Sequence, residues 1–233
     1  MCGPRFAFGS RRYWKHFYQR RDQATHFEWF VGDELASSLV TEVLQRRGMG
    51  PSTGCRVLHV GCGTSKLGGS LAAAGAVVTH VDYDATAVER ARYFAEVASQ
   101  TLGSQEWLVG DVRDLKRPEW SGAFDAVVDK GTMDALLFAD RDERVGSAAE
   151  FGLEIARVLS PCGGIYVQLS DAAPEVRVDE LAEALPASFQ VVWSASENEE
   201  DGRELFVYVA HDPSPRVSTQ LEERDCDAHD TRG

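Results

Sequence analysis

The residues best suited to hold a ligand recur at the ends of successive apolar runs. Gly61-Cys62-Gly63 follows the run Arg56–Val60 and precedes Leu67, Leu71 and Ala74, which have helical spacing. A strand entering a helix through a turn with two glycines lets a ligand approach the main chain closely, since no Cβ intervenes. The helix start behind it favours negative groups such as a carboxylate. Asp82 closes the next run, 21 residues after Gly61, where an acid can accept both hydroxyls of a ribose. Gly110-Asp111-Val112 closes a third. Three strand ends in order, each with the appropriate group, point to a nucleoside-bearing cofactor. A dinucleotide fold is disfavoured, because Lys66 stands where close helix–strand packing wants glycine or alanine.

The elements that position these residues follow from periodicity. From about residue 56, strand and helix patterns alternate, as in βαβ units around a mostly parallel sheet. Arg56–Val60, Val77–Val81, Glu106–Val109, Ala123–Val128 and Ile165–Leu169 read as five parallel strands. Asp84 can cap a helix to about Ser99, with Val88, Ala91, Ala95 and Ala98 inward. Ala148, Phe151, Ile155 and Val158 mark another helix, and a short one lies around Val178–Leu185. Phe189–Trp193 and Leu205–Val209 flank the acidic tip Glu197–Glu204 and form an antiparallel hairpin. The expected fold is α/β: a Rossmann-like seven-stranded sheet, five parallel strands plus a C-terminal hairpin, with helices on both faces. Residues 1–55 read as an N-terminal helical cap, 56–211 as the core and 212–233 as a polar, disordered tail.

Bulk properties narrow the partners. The 233 residues suit one domain, and no apolar run is long enough to span a bilayer. Net charge is −13, which argues against a general grip on nucleic-acid phosphates. Residues 1–21 nevertheless carry six bases and no acid, leaving the remainder at −19. Such a body suits a basic partner surface, although solubility alone is the more common explanation. Five scattered cysteines, never spaced as CxxC, indicate neither a disulfide framework nor a metal site, and a reducing compartment fits.

Asp129-Lys130-Gly131-Thr132-Met133-Asp134-Ala135-Leu136, with Phe27-Glu28-Trp29-Phe30, Tyr13-Trp14, Tyr18-Gln19 and Gly61-Cys62-Gly63-Thr64-Ser65, resembles one group of class I protein lysine methyltransferases. That group includes enzymes acting on elongation factor 1-alpha and on mitochondrial citrate synthase. The resemblance spans roughly residues 12–211. It implies S-adenosyl-L-methionine as cofactor, with Trp14, Tyr18 and Trp29 lining it. Gly61, Gly63, Asp82, Tyr83, Asp111, Val112 and Lys130 complete the site, the acid after the third strand receiving the adenine amino group. Spacing agrees: on a helix capped by Ser10, Trp14 and Tyr18 share a face, with Tyr13 and Phe17 in the neighbouring row. Aromatic faces suit both a sulfonium and an adenine ring, though packing alone would also explain them.

The fourth strand end departs from the Asn/Asp-Pro-Pro-Tyr/Phe signature that holds planar NH₂ groups, which argues against adenine or glutamine substrates. Asp129 sits where an acceptor would arrive, so it and Asp134 are expected to steer or orient; the simpler reading of Asp129–Lys130 is a surface ion pair. Lys130 is expected to neutralise the cofactor's carboxylate. His59 reads as a packed or hydrogen-bonded histidine. The expected partner is a protein with an accessible lysine, without nucleic acid or membrane. Small-molecule O- or N-methylation on the same fold, citrate synthase lysine methylation if the protein is mitochondrial, or a non-enzymatic scaffold, are the alternatives. The acid-free N-terminus resembles a mitochondrial presequence. Removing it would take away Trp14 and Tyr18, so the cytoplasm is expected.

Overall fold

The computed structural model describes residues 8–20, 27–98, 104–138, 141–198 and 202–213. Arg56–Val60 forms β1, flanked in parallel by Val77–Asp82 (β2) and Ala126–Lys130 (β4). A strand with neighbours on both sides and helices on both faces is buried along its length, and Val57, Leu58 and Val60 are buried together with the polar His59. Gln105–Val109 (β3) adds beyond β2, and Ile165–Ser170 (β5) beyond β4. Glu204–His211 (β7) and Gln190–Glu197 (β6) complete the sheet as an antiparallel hairpin, giving the order β3-β2-β1-β4-β5-β7-β6. The expected sheet is therefore present.

Side chains alternate between two cores with the period of the pleat. Leu58, Val60, Val81, Val127 and Tyr166 face one core, closed by Arg141–Val158 (α6) and Pro174–Ala184 (α7). Val57, Val78, Ala126, Val128 and Val167 face the other, beneath Asp33–Arg46 (α2) and Leu67–Ala73 (α3). Ala85–Val97 (α4) packs on β2 and β3, and Arg11–Arg20 (α1) packs on α4. Among the described residues no helix is long and apolar enough to cross a membrane.

Boundaries differ from expectation where polar residues are buried. The fourth strand begins at Ala126 instead of Ala123, because the Asp125 carboxylate takes the Arg56 amide at 2.8 Å and occupies the strand entrance. It also runs on through Asp129 and Lys130, both buried. Thr132–Leu137 forms a short helix (α5) where the sequence showed only a motif. The hairpin strands pair up to Glu197 and Glu204, so the acidic tip is shorter than its composition suggested. Most of the polar tail lies outside the described residues.

The chain steps outward from β1 to β2 and β3, then returns to β4 on the opposite flank. At such a reversal the loops leaving the two central strands diverge, opening a crevice at their C-terminal ends.

Candidate functional site

A cleft of about 590 Å³ lies at that reversal. Residues 61–65 after β1, Asp82 and Tyr83 at the end of β2, and residues 130–132 at the end of β4 form its floor. Trp14, Tyr18, Phe27 and Trp29 wall it from the N-terminal side.

The glycines make this geometry possible. Gly61 has φ +54°, and a Cβ there would lie 2.0 Å from Thr132 Oγ1. Gly63 has φ +52°, and its Cβ would meet the Tyr18 hydroxyl at 2.7 Å. The first glycine thus admits the loop after β4 and the second admits α1. Both serve the protein's own packing as well as ligand approach.

Asp82 organises the floor. One carboxylate oxygen accepts the Gly63 amide and the other the Asp84 amide, each at 2.9 Å. Each oxygen keeps a further lone pair. The residue is 6% exposed, and burial pushes its carboxyl up to about 6 against the pull of those amides. Asp84 caps α4 by accepting from the Ala87 amide at 3.1 Å, as expected.

Trp14 and Tyr18 share the buried face of α1, their rings stacked 6.0 Å apart, with Trp29 5.6 Å from Trp14. Tyr13 and Phe17 stack in the adjoining row. Burial holds the Tyr18 hydroxyl well above its usual range, so it stays neutral.

Asp111 and Val112 stand outside the cleft wall. Val112 belongs to the core. Asp111 is engaged by Arg113 at 2.8 Å and Arg11 at 3.1 Å. Burial alone would raise its carboxyl, but these guanidiniums hold it below the usual range. Arg11 also lies over the Tyr83 ring at 5.0 Å, which links Asp111 to the cleft through one intervening side chain.

Lys130 and Asp129 correct two expectations. They are not a surface pair: Lys130 is buried and forms an ion pair with Glu28, while also donating to the Trp29 carbonyl at 3.3 Å. Its charge therefore reaches the cleft already compensated. Asp129 is fully buried and accepts from the Thr132 amide, the Met133 amide and the Tyr166 hydroxyl at 2.7, 3.1 and 2.8 Å. It caps α5 from beneath and does not line the cleft. Asp134 is likewise turned inward, bonded to Arg177 and Ser170 at 2.6 Å each. Burial raises both carboxyls, that of Asp134 to about 6.

Glu28 and Thr64 were not singled out from sequence. Glu28 lay inside a motif whose aromatics drew attention, yet it ties Lys130, the Ser65 hydroxyl and the Lys66 amide together. Thr64 Oγ1 is buried beside the cleft without a hydrogen-bond partner among the described residues. Nothing in its local sequence marks this.

A family model described as a methyltransferase domain matches residues 51–209. The chain belongs to this methyltransferase family. Among curated relatives, bovine EEF1A lysine methyltransferase 4 is 35% identical over 182 residues, covering 74% of this methyltransferase and 65% of the bovine protein. The mouse protein of that name is 31% identical and is covered over 68% of its length. The mitochondrial citrate synthase-lysine N-methyltransferase of Pongo abelii is 30% identical, with 70% of each chain covered. The methyltransferase thus spans about two thirds of the length of these relatives. Among solved structures, the N-methyltransferase NodS of Bradyrhizobium japonicum, in complex with S-adenosyl-L-homocysteine, superposes with a TM-score of 0.60 at 16% identity. It covers 86% of this methyltransferase and 99% of NodS. The magnesium protoporphyrin IX methyltransferase of Synechocystis with bound cofactor gives 0.58 at 17% identity, covering 89% and 94%. At these identities the likeness concerns the fold.

Proposed function

We propose that this methyltransferase transfers a methyl group from S-adenosyl-L-methionine to a lysine side chain of a protein, with elongation factor 1-alpha or a related protein as the first candidate. The observation carrying this reading is that relatives at 30–35% identity over 70–77% of the chain bear the names of protein lysine methyltransferases. On this reading residues 1–55 are a cap that completes the cofactor site and 56–211 the core that holds it.

The cleft fits the cofactor. Asp82 has lone pairs left for two ribose hydroxyls, and Trp14, Tyr18, Trp29 and Tyr83 offer π faces to adenine and sulfonium. Lys130 lines the cleft with its charge balanced by Glu28, and the unpartnered Thr64 hydroxyl awaits a polar group. The bound cofactor contributes an electrophilic methyl group on a sulfonium.

The protein's part is then positioning and desolvation more than acid–base chemistry. Neutralising an ordinary lysine at pH 7 costs about 4.6 kcal/mol. An aromatic wall lowers that cost by disfavouring the ammonium, whereas a carboxylate in the path would raise it. The inward orientation of Asp129 and Asp134 agrees with this, and no dedicated base is assigned. Because Trp14 and Tyr18 stand in the cleft wall, the N-terminal segment is retained on this reading, which favours the cytoplasm over the mitochondrion.

Incubating the protein with radiolabelled cofactor and a cell extract tests the proposal. Methyl-lysine on a protein band, located by mass spectrometry, is the expected result. Label confined to low-molecular-weight products would transfer the activity to small-molecule methylation.

A further inference from the structure

His59 lies on β1, two residues before Gly61, and its ring forms part of the cleft wall although the residue is only 1% exposed. Its Nδ1 lies 3.4 Å from Nδ1 of His80, the residue paired with it on β2. His80 in turn directs Nε2 to the side-chain oxygen of Gln105 on β3, at 3.2 Å. The His80 ring is held by stacking on Trp107, with centroids 4.9 Å apart and planes 4° from parallel. Three adjacent strands therefore carry a single line of hydrogen-bonding groups that ends at the cleft.

The protons along this line can be assigned. With the Gln105 amide oxygen facing it, His80 Nε2 carries the hydrogen, because an amide oxygen only accepts. A neutral imidazole with hydrogen on Nε2 has a bare Nδ1, which can only accept. His59 Nδ1 must then be the donor, leaving His59 Nε2 as a bare nitrogen. Among the described residues, His59 makes its side-chain hydrogen bond through Nδ1, to His80. Burial keeps both imidazoles neutral: His59 lies well below its ordinary value, with His80 and Lys130 adding to the effect, and His80 falls to about 4. A neutral acceptor at this point welcomes a cationic N–H group without the cost of another buried charge.

We propose that His59 Nε2 accepts a hydrogen bond from the α-ammonium of the cofactor's methionine moiety, its acceptor tautomer being set by the His80–Gln105 pair. The Glu28–Lys130 ion pair places the charged end of the cleft beside His59, both residues acting electrostatically on its imidazole. His59 is thus a cofactor-positioning residue. The inference rests on the cofactor placement proposed above, and the two can fail separately.

Nitrogen-15 NMR of the histidine side chains reads the tautomers directly in the unliganded protein. His59 should show a protonated Nδ1 and a bare Nε2; the opposite tautomer would overturn the proposal. Adding S-adenosyl-L-homocysteine should move the Nε2 signal, whereas the same thioether lacking its amino group should not. Calorimetry on His59→Val supplies the energetic test. Affinity for S-adenosyl-L-homocysteine should fall about tenfold to a hundredfold, as for loss of a charge-assisted hydrogen bond. Affinity for the deamino analogue should stay within about twofold. Equal losses for both ligands would make His59 a packing residue and sink the idea. If His59→Val does not fold, the wild-type NMR comparison still decides. Failure of the wild-type protein to bind either ligand would count against the cofactor placement instead.

Discussion

The proposed ribose contact at Asp82 makes cofactor affinity depend on pH in a direction the structure specifies. Burial raises this carboxyl from 3.8 to about 6 in the unliganded protein. The ionised form is the one that can accept two ribose hydroxyls while still holding the Gly63 and Asp84 amides. Affinity should therefore be full above about pH 7 and decline as pH falls through 6. At pH 5 roughly one molecule in ten is ionised, so Kd for S-adenosyl-L-homocysteine should rise about tenfold, or ~1.4 kcal/mol. The amino and carboxyl groups of the ligand titrate mainly outside pH 5–7. Stability of the free protein should run the other way. A raised folded value means the folded state binds more protons, so this group's contribution is fully present below about pH 4 and is lost as pH rises through 6. The shift corresponds to about 3 kcal/mol. Asp134 titrates in the same window, which Asp134→Asn controls for. The assay is calorimetric titration from pH 7 to 5 on wild type and Asp82→Asn. The variant should bind more weakly at every pH and with no slope. A flat wild-type profile, or an equal slope in the variant, would refute the assignment.

Other outcomes follow from individual contacts. Gly61→Ala combines a left-handed backbone with a Cβ 2.0 Å from Thr132 Oγ1, and should lower unfolding stability by about 3 kcal/mol in urea titrations. Adding Thr132→Ala should restore part of that loss. Lys130→Met removes the buried ion pair with Glu28 and should lower stability, which Glu28→Gln in the same chain should partly recover. Asp129→Asn, which disturbs three hydrogen bonds at the base of α5, should lower stability by about 1–3 kcal/mol. Its Kd for S-adenosyl-L-homocysteine should change less than about twofold, since the residue does not face the cleft.

The sequence alone determined the sheet, because apolar runs of strand length separated by helical spacing allow few other arrangements. It also located Gly61, Gly63 and Asp82, since the chemistry at a strand end needs those residue types at that separation. Trp14 and Tyr18 were legible through their spacing of four. What a side chain faces beyond its own element was not legible. Asp129 and Lys130 are adjacent in sequence, but the pleat sends one beneath α5 and the other toward Glu28, 102 residues away. The same geometry draws Asp111 to Arg11 and Arg113 instead of into the cleft. His59, His80 and Gln105 lie far apart along the chain, and only parallel pairing aligns them into one hydrogen-bonded row. Local pattern records which residues must be buried or flexible; partners in contact are set by how strands and helices meet, and only the tertiary structure decided those.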